Sequence, residues 1–225
     1  MRGLQVGPRP LGRRLSESAK SILTAVLLVI LVRATLVQAY HIPSGSMEDT
    51  LLEGDYLLSD KLTFGTQIPD RLPVLNLKLP SLQMPGFRDP RPGDLVIFEC
   101  PEDPSRDCIK RCIAIEGQTV EIKSKVLTVD GKPFEDPRGV KYEDRRQLPK
   151  RSSARDNYGP YMVPPGHIFV MGDNRDNSYD SRFWGPVSVE RIKAHPILIY
   201  LSVDGAAPIW NLLEKIRWGR LGLID

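Results

Sequence analysis

The chain has 225 residues, 41% of them hydrophobic and 26% charged, which is ordinary for a folded protein of one sizeable domain or two small ones. Its net charge is only +3, and Arg2, Arg9, Arg13, Arg14 and Lys20 crowd the N-terminus, so no nucleic-acid surface is implied. The 20 prolines and 18 glycines favour strands, turns and loops over long helices, and there is no internal repeat or low-complexity tract.

In chain order, residues 1–20 form a basic leader with Glu17 as its acidic exception. Ile22 to Val32 is an unbroken run of aliphatic, Thr and Ala residues; Arg33 interrupts it, and Ala34 to Tyr40 resumes a mostly apolar course. Residues 21–40 therefore match one bilayer core, about 20 residues, with Arg33 free to snorkel on its long stem. The basic leader puts the N-terminus in the cytoplasm and everything after Tyr40 outside. A cleavable signal peptide competes with this reading, because Val37-Gln38-Ala39 passes as a small-residue cleavage site. A buried core helix is the bland alternative.

The rest reads as mainly β. Leu51 to Asp55 is a turn into a short strand at Tyr56 to Ser59, and Phe64 to Pro92 is a Pro-rich loop or irregular hairpin. That segment either tucks over the core or dips into lipid. Leu95 to Cys100 and Asp107 to Ile115 are strands of one hairpin around the turn Pro101 to Arg106. Val120 to Ile122 and Val126 to Val129 make the next hairpin, with Asp130-Gly131 a tight turn after it. Glu135 to Tyr158 is a charged linker or hairpin, His167 to Met171 an apolar strand, and Pro196 to Val203 the last strand. The tail Pro208 to Asp225 is either an amphipathic interfacial segment or a packed C-terminal helix. Short strands separated by turn signals define a mainly β body.

The three cysteines have no zinc-ligand spacing, and their odd number leaves at least one thiol free. Cys100 and Cys108 flank a turn and could be joined across it, but small buried apolar residues are the favoured reading for all three, Cys112 included.

Chemistry concentrates in three places. Pro43-Ser44-Gly45-Ser46-Met47 sets a serine just past the hydrophobic segment. A serine nucleophile needs a base; His41 is held roughly 17 Å off by five residues of extended chain, and His167 and His195 stand at strand edges with ordinary neighbours. Lys110 instead lies inside the apolar strand Cys108-Ile109-Lys110-Arg111-Cys112, where burial would lower its pKa and make it a competent base. Alternation out to solvent is the competing reading for a strand lysine. Gly172 to Arg182 packs Asp173, Arg175, Asp176, Ser178 and Asp180 among two asparagines, a density suited to ordering a site through ion pairs.

These segments, with Gly54-Asp55 and Gly93-Asp94 between them, resemble the bacterial type I signal peptidases, membrane-bound leader peptidases that use a Ser–Lys dyad. The likeness runs from the hydrophobic segment to about Val203. It implies a signal-peptidase-like antiparallel β catalytic body with one N-terminal transmembrane helix, in which the segment is a retained anchor. The implied organisation is a cytoplasmic leader (1–20), an anchor (21–40), an extracytoplasmic β domain (41–203) and a tail (204–225). The β domain carries the Pro-rich loop 64–92 and an inserted cap at 116–160.

By resemblance, Ser46 is the nucleophile and Lys110 its general base. Ser44 lends its hydroxyl to an oxyanion hole beside the Ser46 N–H, a donor set aimed at developing charge. Ser178 orients the lysine amine, Asp180 and Arg182 form a supporting ion pair, and Asp173 and Arg175 brace the same loop. Tyr40, Ile42, Met47, Leu51, Cys108 and Ile109 match positions that line the substrate pockets, and substrate backbone pairs near Asp107. The implied activity is removal of signal peptides from exported preproteins by cleavage after small residues, at the bacterial inner membrane. Preproteins and membrane lipid are the expected partners, and no cofactor, metal or nucleic acid is expected. Asp49 replaces a common proline, and Cys108 stands where several relatives carry Tyr. A self-processing Ser–Lys protein and a noncatalytic exported β-module are the alternatives; the first lacks a DNA-binding domain here, and the second would not need both dyad positions.

Overall fold

The computed structural model describes residues 11–67, 83–208, 210 and 212–224. Residues 1–10 and the centre of the Pro-rich segment, 68–82, lie outside the described residues.

The chain opens with helix α1, Leu11–Thr35. Leu23, Ala25, Leu27 and Leu28 favour the helix through Ile22–Val29 over the weaker preference of its β-branched residues, and Ile22 (65%) and Val29 (64%) stay largely exposed on it. Among the described residues no helix is long and apolar enough to cross a membrane. Val37–His41 is not its continuation but strand β1, which corrects the expected end of the anchor at Tyr40. β1 runs antiparallel to β2 (Asp55–Asp60), from Val37 opposite Asp60 to His41 opposite Tyr56. That ladder satisfies the backbone groups a continued helix would have paired internally.

The following strands are β3 (Gly65–Gln67), β4 (Gln83–Pro85), β5 (Leu95–Glu99), β6 (Asp107–Ile115), β7 (Thr119–Lys123), β8 (Val126–Val129) and β9 (Lys132–Pro133). Next come β10 (Tyr158–Met162), β11 (His167–Met171), the short helix α2 (Ser181–Trp184), β12 (Val187–Ser188) and β13 (Ile192–Ser202). A helical turn α3 (Leu212–Lys215) and strand β14 (Gly222–Leu223) finish the chain. The mainly β expectation holds. β3 and β4 form a two-stranded hairpin at the ends of the Pro-rich segment. At the end of the charged segment begins a strand that sequence reading left unassigned, β10, which pairs β7 beside β8 and β9.

The large sheet has the order β1-β2-β13-β5-β6-β11-β12, with β14 added beside β13. β13 is longer than expected and joins the two halves. Its first residues pair β5 through Ile192 and Ala194, and its later ones pair β2 through His195 to Ser202. Register shifts beside Pro196 and Ile199 bend it between these partners, as expected where proline removes a ladder donor and bulges increase twist. The tail does not form one packed helix: after the short α3, Leu223 pairs Leu198, and Ile224 N–H reaches the Ile197 carbonyl at 2.9 Å.

Three apolar clusters fix the site-bearing elements. Ile42, Met47, Leu51, Leu57, Leu95 and Ile199 pack beneath the segment that carries Ser46. Val96, Phe98, Cys112, Ile168 and Val170 fill one side of the β5–β6–β11 layer. Ile113, Ala114, Val120, Ile122 and Phe169 join that layer to the small sheet. A bulge at Ile113, between the pairs Ala114–Phe169 and Cys112–Val170, lets two successive residues of β6 face this last cluster. Each such large side chain stabilises the fold by about 1.5–3 kcal/mol relative to exposure, so the elements flanking Ser46 and Lys110 are held by the core itself.

Candidate active site

Ser46 sits in a single 3-10 turn, Gly45–Met47, entered from Ser44 in extended conformation. The turn sends successive side chains to opposite destinations. Met47 is fully buried in the core, while Ser44, Gly45 and Ser46 line an open cleft of about 580 Å³. The polar loop after β11 grips this turn from the other side: Asn174 N–H donates to the Ser46 carbonyl at 3.1 Å, and its side-chain amide donates to the Gly45 carbonyl at 3.2 Å.

Lys110 lies on β6 opposite Val96 and is only 5% exposed. Its Nζ donates to Ser46 Oγ at 2.6 Å and to the Ile109 carbonyl at 3.0 Å. Burial pushes its pKa down from 10.5 to about 8, with Arg182 adding to the fall, although the Asp180 and Asp173 carboxylates pull the other way. At pH 7 about one amine in ten is then neutral, against roughly one in three thousand at the ordinary value. An amine of this kind, held against a hydroxyl, can take its proton.

The polar loop is organised by buried ion pairs. Asp180 caps α2 and meets Arg182 at 2.8 Å, also accepting from the Gly172 N–H at 3.0 Å. Burial raises the Asp180 pKa, but the guanidinium and these hydrogen bonds outweigh it and hold the carboxyl below the usual range. Asp173 and Arg175 do not pair with each other. Asp173 is bound by Arg111 at 2.7 Å and by the Thr50 hydroxyl at 2.6 Å, whereas Arg175 reaches Asp136 at 2.6 Å. Through Asp173 the polar loop is thus tied both to β6, one residue from Lys110, and to the turn after Ser46. The Arg175–Asp136 pair ties the loop to the insert after β9.

Ser178 is 5% exposed and packs over Gly172, beside the Ser46 carbonyl. Its hydroxyl makes no hydrogen bond to Lys110, whose donors go to Ser46 and Ile109; it lies near enough to the Asp180 carboxylate to help hold that group ionised. Ser44 is exposed at the cleft, and its side chain makes no capping hydrogen bond to the turn. Of the expected pocket residues, Ile42, Asp107, Cys108 and Ile109 line the cleft and a connected recess of about 300 Å³ whose wall includes Tyr40. Met47 and Leu51 are fully buried beneath the serine turn instead of lining either space.

Cys100 and Cys108 form a disulfide, with Cα atoms 5.2 Å apart, so the reading of all three cysteines as small buried residues holds for Cys112 alone. The diagonal position of the two across the β5–β6 hairpin brings their Cβ atoms within bonding reach. Sequence reasoning missed Arg111, Thr50, Asn174 and Asp136 as partners of the site. Arg111 carried a signal, a second cation inside an apolar strand; Thr50 and Asp136 carried none. Among the described residues no group of His, Cys, Asp and Glu is arranged to hold a metal ion.

A serine hydroxyl thus lies against a buried amine on an open cleft of an antiparallel β body. The family model for signal peptidase, peptidase S26, matches residues 15–201. Signal peptidase I of Pseudomonas fluorescens is 34% identical, covering 93% of this chain and 79% of that protein. The Pseudomonas aeruginosa enzyme is 34% identical over 79% of this chain and 66% of its own. That of Aquifex aeolicus is 33% identical over 79% and 80%. The chain belongs to the signal peptidase family, peptidase S26.

Proposed function

We propose that this chain is a membrane-anchored serine endopeptidase that removes signal peptides from exported preproteins, with Ser46 as nucleophile and Lys110 as base. The observation that carries the reading is the 2.6 Å contact between Ser46 Oγ and the buried amine of Lys110. Neutral Lys110 takes the Ser46 proton as Oγ attacks the scissile carbonyl. The oxyanion develops toward the Ser46 N–H and the Ser44 hydroxyl, which is free of a capping bond to the turn. The ammonium then passes its proton to the leaving amine, and the amine so regenerated activates water against the acyl-enzyme. Asp180 and Asp173 favour the ammonium between these steps.

Selectivity for small residues at the first and third positions before the cut would come from the apolar walls around Ile42 and Ile109, which reject bulk by sterics. Substrate backbone pairs as an added strand near Ser46 and Asp107. In this reading α1 is the anchor, with its N-terminus in the cytoplasm and the β body on the outer side of the bacterial cell membrane. The exposed aliphatic face at Ile22–Val29 supports it, as does the basic leader.

The test is cleavage of a purified preprotein in lipid or detergent by wild type, Ser46→Ala and Lys110→Ala. Both variants should fold and be inactive. Full turnover by either would remove that residue from its role.

A further inference from the structure

The turn between β5 and β6 forms one wall of the cleft through Glu102, Asp103 and Arg106. Such a turn would ordinarily be free to move, but here it is tied at both ends. At its base the Cys100–Cys108 disulfide closes the hairpin diagonally across the Glu99–Asp107 pair, and Cys100 N–H donates to the Arg106 carbonyl at 3.0 Å. Toward its tip, Tyr179 reaches from the polar loop on the facing wall and donates its hydroxyl to Glu102 at 2.9 Å. Tyr179 is itself steadied by stacking on Phe183, centroid to centroid 4.9 Å. Thus the covalent tie fixes the shape of the first wall, and the hydrogen bond links that wall to the second.

Strand alternation sharpens the point. Cys108 and Lys110 are two residues apart on β6, so their side chains share a face and stand about 6.6 Å apart along the strand. Both sulfur-bearing residues line the cleft that Lys110 and Ser46 share. The disulfide is therefore the next side-chain row from the reacting groups, where an extended substrate would place residues just before its cut. A cross-linked sulfur pair cannot rotate aside as a longer single side chain can, so it presents a wall of fixed position.

We propose that the Cys100–Cys108 disulfide, with the Tyr179–Glu102 hydrogen bond, is a specificity-determining wall that limits the size of the substrate residue facing it. This rests on the peptidase reading and concerns how that site sorts substrates, not whether it cuts.

The experiment uses the full chain in detergent and a series of preprotein-derived peptides in which each of the three residues before the cut is in turn Ala or Leu. The readout is the ratio of kcat/KM for Ala over Leu, compared between wild type, the double variant C100S/C108S and Tyr179→Phe. At the position facing the disulfide, the ratio should fall about tenfold in the double variant, the scale of one step in pocket size. It should fall about threefold in Tyr179→Phe, which keeps the aromatic stack and loses only the hydroxyl. Ratios within about twofold of wild type at all three positions in the double variant overturn the proposal; if that variant does not fold, the same result in Tyr179→Phe overturns it. A wild type that cleaves no peptide refutes the peptidase reading instead, so the two failures are distinguishable.

Discussion

Replacing Lys110 with methionine should abolish cleavage and yet stabilise the fold at pH 6. Burial lowers the amine pKa from 10.5 to about 8. At ~1.4 kcal/mol per unit, keeping the lysine charged in the folded state costs roughly 3 kcal/mol. Methionine fills a similar volume without that cost but forfeits the hydrogen bonds to Ser46 Oγ and the Ile109 carbonyl, each contributing about 1 kcal/mol net. The balance is a gain of ~1 kcal/mol, or a Tm increase of about 2–4 °C for a chain of this size. The pH dependence carries the sign. Below about pH 8 the lysine is protonated in both states, and the folded state bears the full cost. Between pH 8 and about 10.5 the folded amine is neutral while the unfolded one still binds its proton, so wild-type stability rises toward the variant's. Thermal unfolding of both proteins from pH 6 to pH 10 should show the methionine advantage at the acid end shrinking and then reversing. A variant less stable than wild type by the same amount at every pH would refute the reasoning.

Arg111→Met should lower Tm severely. It leaves the fully buried Asp173 carboxylate with the Thr50 hydroxyl as its remaining partner in the site, a loss of about 3–5 kcal/mol and roughly 6–20 °C by calorimetry. A shift under about 2 °C would contradict the buried pair. Gly172→Ala should abolish cleavage in the same preprotein assay, because a Cβ there meets the Ser46 carbonyl at 2.5 Å and collides with the Ser178 side chain. Cleavage at the wild-type rate would count against that packing. Cys112 is fully buried and burial pushes its thiol up to about 12, so a maleimide should label the native protein only on unfolding. Rapid labelling of one thiol in the native state would contradict this.

What the sequence exposed was contiguous. The serine turn, the strand Asp107–Ile115 and the polar loop from Gly172 each keep their chemistry within a few residues, so each could be read from its own segment. Partners far apart in sequence could not. Asp173 and Arg175 look like neighbours in one loop, but the fold sends one carboxylate to β6 and one guanidinium to Asp136 in the insert. Apolar character also misled where it did not distinguish lipid from sheet: Val37–His41 reads as the end of an anchor and folds as an edge strand. Met47 and Leu51 match pocket-lining positions by resemblance alone, whereas the tightness of the 3-10 turn and the turn after it directs them into the core. The tail was ambiguous because its two-residue strand is specified by β13, not by its own pattern.

The central claim is that a buried lysine, and no histidine, activates Ser46. Its most direct test is the pH dependence of single-turnover preprotein cleavage by the wild type. A rate that rises with pH and levels off with an apparent pKa near 8, the value burial gives Lys110, is the predicted result. A rise centred near 6.5, the ordinary histidine value, or a rate independent of pH from 6 to 10, would contradict it.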